Sequence, residues 1–135
     1  MRKKYIPTGL ASALLALCLL AIVTITITAC TTTANSGNNP NTVHMNDSNF
    51  DQPSITIKKG QTLTLVDDSS AVHIIENGTW DNNGTPKPKI EAGAPTVDAQ
   101  MNGGDSDTFG PFNTAGTFHL YCTVHTGMNL TVIVK

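Results

Sequence analysis

Disulfide chemistry is the first thing this sequence excludes. Cysteine occurs only as Cys18, Cys30 and Cys122, and Cys122 stands alone in the C-terminal two thirds, where no internal bridge can form. Cations are scarce as well. Of eight Lys and Arg, Arg2, Lys3 and Lys4 crowd the N-terminus, which leaves Lys58, Lys59, Lys87, Lys89 and Lys135 against ten carboxylates, a net charge of about −5. No basic patch remains to meet nucleic acid. Beyond Cys30 no segment repeats an apolar residue at the helical 3.6 period over three turns. Paired carboxylates placed for acid–base work, a nucleophile triad and a phosphate-cradling loop are all missing, so enzymes of those classes are excluded.

What is present begins with the N-terminus. The basic Arg2-Lys3-Lys4 stretch is followed by an apolar run from about Leu10 to Ile27 and by a small-residue exit, Ile27-Thr28-Ala29-Cys30. These are the three parts of a secretory signal peptide. The exit resembles the bacterial lipobox, which implies a signal over 1–29, cleavage before Cys30 and lipidation of its sulfur. An uncleaved membrane anchor and a conventional cleavage site are the other two readings. All three place the rest of the chain outside the cytoplasm. Residues 30–41, with TTTANSGNNPN after the cysteine, hold no aliphatic side chain larger than alanine and read as a flexible linker. Residues 42–135 remain as one domain, expected to be a monomer.

That domain reads as β throughout. Ser54 to Lys58 and Gln61 to Leu65 alternate polar and apolar residues around a Lys59-Gly60 turn. Gly116 to Tyr121 and Asn129 to Val134 are two more strands, with Leu130, Val132 and Val134 on one face. Glu76 to Ala94, rich in Gly, Asn and Pro, reads mostly as loop anchored by Trp80, and Met101 as a packing residue in a Gly-rich loop. Short strands between turn signals indicate an all-β Greek-key sandwich or barrel.

The chemistry sits in Cys122-Thr-Val-His125-Thr-Gly-Met128, with His73 far away in the sequence just past the Asp67-Asp68-Ser69-Ser70 turn. Outside the cytoplasm a free thiol is an oxidation liability, and metal ligation is a reason to keep one. One thiolate, two imidazoles and a thioether suit neither magnesium nor calcium, which prefer oxygen. Structural zinc sites do not usually use methionine. Two histidines and a cysteine with a weak axial methionine are the blue-copper set. The bland alternatives are a buried apolar thiol at Cys122, a core histidine at His73 and a packing role for Met128. His44 and His119 read as solvated side chains.

Phe50-Asp-Gln-Pro53-Ser-Ile-Thr-Ile-Lys-Lys-Gly60 and Gly116-Thr-Phe-His-Leu-Tyr-Cys122-Thr-Val-His125 resemble the opening strands and the copper loop of the cupredoxins, in particular the plastocyanin and amicyanin branch. The C-x₂-H-x₂-M spacing is similar to that of amicyanin. The resemblance covers nearly all of 42–135. It implies a cupredoxin fold with one copper held by His73, Cys122 and His125, Met128 as the long axial ligand, and an apolar electron portal around His125. Departures from the family pattern are Val72 before the first histidine, Ile74 after it, Val124 between Cys122 and His125, and Leu65 near the usual tryptophan.

The implied function is one-electron transfer between redox partner proteins at a membrane surface. A copper storage or delivery module is the second class, weakened because Met45, Met101 and Met128 are dispersed. A copper enzyme is the third. It would need an open coordination position or a second copper, whereas four ligands fill this site and only one cysteine is on offer.

Overall fold

The computed structural model describes residues 40–135. The signal, the lipidation at Cys30 and nearly all of the linker lie outside the described residues. Among the described residues no helix is long and apolar enough to cross a membrane. The described residues form nine strands: β1 Thr42–Met45, β2 Ser54–Ile57, β3 Leu63–Asp67, β4 His73–Trp80, β5 Pro86–Pro88, β6 Asp98–Met101, β7 Ser106–Phe109, β8 Gly116–Cys122 and β9 Asn129–Val134.

They build two sheets. The smaller has the order β1-β3-β7, and the larger the order β2-β9-β8-β4-β5, with β6 also paired to β4. Alternation along each strand explains the layering. In β9, Leu130, Val132 and Val134 are buried while the residues between them are half-exposed. In β3, Leu63, Leu65 and Asp67 are the buried set. The inward side chains of both sheets form one core that includes Val43, Leu63, Leu65, Ile75, Phe112, Phe118, Leu120 and Val132. This is the all-β cupredoxin sandwich that the sequence led us to expect.

The Lys59-Gly60 turn connects β2 and β3 as expected, but it crosses from one sheet to the other. β2 pairs in parallel with β9, and β3 in parallel with β1 and antiparallel to β7. Gly60 takes φ +85°, a left-handed conformation that suits glycine.

Two expectations need adjustment. Residues 76–94 are mostly loop, as expected, but their start is not, because β4 continues to Trp80, and β5 returns beside it. Asn77 and Gly78, residue types that signal turns, serve the strand instead. The buried Asn77 side chain donates to the Pro95 carbonyl at 3.1 Å and accepts from the Val97 N–H at 2.7 Å. Gly78 lies where β5 approaches so closely that a Cβ would come within 2.5 Å of the Lys87 carbonyl oxygen. The second correction is Met101, which belongs to strand β6 and is buried opposite His73.

Candidate metal centre

Strand register brings the distant histidine to the cysteine. β4 and β8 are antiparallel with Ile75 opposite Cys122. Side chains two apart share a face, so His73 points inward beside Ile75, and continuing the register places it opposite Val124, in the turn after Cys122. β6 flanks the other edge of β4, with Met101 opposite His73. Cys122 and His73 are both fully buried.

The turn after Cys122 closes on itself. The Cys122 N–H donates to the Met128 carbonyl at 3.0 Å, and the Met128 N–H donates to the His125 carbonyl at 3.1 Å. Gly127 takes φ +84°, which allows the chain to reverse there. The Thr123 N–H donates to the Ile74 carbonyl at 2.8 Å, which ties the turn to the strand bearing His73. Cys122 Sγ lies 3.4 Å from His125 Nδ1, and the rings of His73 and His125 are 4.7 Å apart between centroids. One ligand atom each from His73, Cys122 and His125 fall within 4.8 Å of one another. Met128 is buried at the end of the same turn. The four residues singled out in the sequence are thus brought together.

The donor set fits a metal on physical grounds. Both ring nitrogens of His73 are buried without a hydrogen-bond partner, and leaving such groups unpaired costs about 1–3 kcal/mol each. A copper ion held by the soft thiolate and two imidazoles would answer that cost at one of the two nitrogens. Burial pushes the His73 pKa below its ordinary value, which favours the neutral, ligating ring, and the positive charge that His125 can carry acts in the same direction. Asp67, the Asn46 carbonyl and Asp47 pull the other way.

His44 and His119 lie outside this cluster and are paired rather than simply solvated. His44 Nδ1 is 2.6 Å from an Asp68 carboxylate oxygen, and His119 Nδ1 is 2.8 Å from Glu91 Oε1. Two residues named for other roles touch the site. The Trp80 indole N–H donates to the Cys122 carbonyl at 2.8 Å, and the ring meets Tyr121 edge-on at 5.9 Å. Asp67, read as part of a turn, is a buried carboxylate 3.9 Å from His73 Nε2. The period-two alternation of Leu63, Leu65 and Asp67 was the signal that could have placed it inward.

Fold and site together define a small β-sandwich protein that holds a single copper ion. The chain belongs to the plastocyanin/azurin family of copper binding proteins, whose family model matches residues 38–135. Among solved structures it is similar to a purple cupredoxin from Nitrosopumilus maritimus, with 21% identity and a TM-score of 0.54, covering 70% of this chain and 98% of that one. It is also similar to amicyanin from Paracoccus versutus (Thiobacillus versutus), with 22% identity and a TM-score of 0.55, covering 76% of this chain and 87% of that one. No curated protein matches the chain.

Proposed function

We propose that the protein is a type 1 copper electron carrier, with His73, Cys122 and His125 as equatorial ligands and Met128 as the axial one. The observation that supports this most is the convergence of one buried thiol and two imidazoles within 4.8 Å. Bound there, copper supplies one-electron exchange between its two oxidation states. The protein's part is to keep the ligands still during that exchange. His73 is paired with β6 opposite Met101, on a strand whose other edge meets β8 from Ile75 onward, and Cys122 and His125 are held by the hydrogen bonds of their own turn. Ligands that need not move suit both oxidation states and keep transfer fast. Burial of Cys122 shields the thiolate from solvent oxidants. His125 is only half-buried, and Val72 and Val124, each just before a histidine ligand, are 45% and 52% exposed. They offer an apolar surface for a redox partner beside the ring through which an electron would leave.

The remaining parts of the reading are a signal over 1–29, a lipid anchor at Cys30, a tether to residue 41 and a monomeric domain working outside the cytoplasm, without catalysis of its own. The test of function is kinetic. Electron self-exchange and reduction by a small-molecule donor should be fast, with the copper retained through many cycles. Slow exchange with rapid copper transfer to an apo acceptor would replace this reading with a delivery module.

A further inference from the structure

Among the described residues Asp67 is the one acidic side chain that the folded core hides, and the function described so far gives it no task. Its placement is rigid. The Asp67 N–H donates to the Asp105 carbonyl at 2.9 Å, and the Asp67 carbonyl accepts from the Gly104 N–H at 2.9 Å. Gly103 packs so closely on the next loop that a Cβ would lie 2.6 Å from the Ser69 carbonyl oxygen. Oδ1 accepts from the Ser69 N–H at 2.9 Å and from the Ser69 hydroxyl at 2.6 Å. Oδ2 is buried with no partner at all.

A buried carboxylate is costly where its oxygens lack donors, and the polar group the structure sets beside it is the imidazole of His73. Nε2 of that ring is also unpartnered and stands 3.9 Å from Oδ1, the oxygen that Ser69 already serves. That is too long for a hydrogen bond, whose N···O distance is about 2.7–3.2 Å, and close enough for the carboxylate's charge to act on an N–H at Nε2 in a dry interior. Resting on the copper-site reading above, we infer that Asp67 is a positioning residue for His73: its carboxylate holds the ring as the Nε2–H tautomer, so that Nδ1 is turned to the metal. Its negative charge also favours the more positive oxidation state of the ion and holds the reduction potential down. A histidine ligand whose second nitrogen faces a carboxylate is a general device of metal sites. Here the carboxylate comes from β3 of the smaller sheet and the ligand from β4 of the larger one, so the pair joins the two layers at the metal.

The Asn46 carbonyl also favours a proton on this ring, so the tautomer alone does not single out Asp67. The test therefore measures the copper-loaded protein and Asp67→Asn side by side, with Asp67→Glu as the conservative control. Asp67→Asn should keep the intense thiolate band yet weaken Cu(II) binding relative to Cu(I) about tenfold, the low end for second-layer groups. For a one-electron couple that is a rise of about 59 mV in potential. Asp67→Glu should recover part of the shift. ¹⁵N NMR of the metal-free wild type, which needs no variant to fold, should show His73 as the Nε2–H tautomer. An Nδ1–H tautomer there, or an Asp67→Asn protein with its band intact and its potential unchanged or lowered, would overturn the role of Asp67. Absence of the thiolate band in the wild type itself would remove the copper-site reading, and this inference with it.

Discussion

Cys122, His125 and Met128 reach the metal site from one turn that closes on itself, whereas His73 reaches it from the end of a strand held on both edges. The turn is fixed by short-range hydrogen bonds between Cys122, His125 and Met128 and by the left-handed Gly127. His73 has no such local closure. Its position depends on pairing with β6, on the β8 pairing of the same strand from Ile75 onward, and on burial against the core. The half-buried His125 can exchange contacts with solvent or a partner, while His73 cannot. The difference separates two tasks. On the proposed function, the turn would set the thiolate chemistry and the exit for the electron, and the strand end would tie the metal to the fold.

The largest expected effect concerns the turn. Cys122→Ser should abolish the intense visible band completely while circular dichroism keeps its β signature, since the rest of the core is untouched. A band that survives would move the thiolate elsewhere. Next come the two histidines. His125→Gly opens a partly exposed gap, so added imidazole should enter it and restore the copper spectrum. His73→Gly opens a gap that is sealed from solvent, and imidazole should restore much less. Equal rescue of both variants would erase the contrast between them.

Backbone substitutions sharpen the comparison further. Gly78→Ala drives a Cβ into the β5 backbone on the strand that carries His73, and should cost about 3 kcal/mol in denaturant unfolding. Gly127→Ala meets open space and pays only for its positive φ, about 1 kcal/mol. Reversal of that order would mean that the turn, not the strand, carries the stability of this end. The smallest effect is that of Trp80→Phe, which removes the indole N–H from the Cys122 carbonyl. It should lower stability by about 1 kcal/mol and leave the copper band in place.

The same division governs what could be read from the sequence. Cys122, His125 and Met128 are neighbours in the chain, so their spacing announced them, and β8 and β9 on either side alternate cleanly. His73 could be selected by residue type and by the need for another ligand, but the register that brings Ile75 opposite Cys122 is a tertiary fact. The end of β4 is hard to read because Asn77 and Gly78 look like turn residues in isolation. Their reasons, a buried amide satisfied by Pro95 and Val97 and a close backbone approach by β5, involve segments far along the chain. Met101 was hidden for a related cause: it belongs to a strand whose partner decides its burial, and the short polar segment around it carries little periodicity of its own. Asp67 ends a strand that does alternate, and its acidic side chain before a turn hid its inward place.

The account rests on one claim, that a single copper ion is bound through the Cys122 thiolate. The most direct measurement is the visible and EPR spectrum of the protein after addition of one equivalent of Cu(II), with Met128→Ala in parallel. The account predicts an intense thiolate charge-transfer band with narrow copper hyperfine splitting, both altered in the variant. A pale, ordinary Cu(II) spectrum from folded protein with its thiol reduced would contradict it.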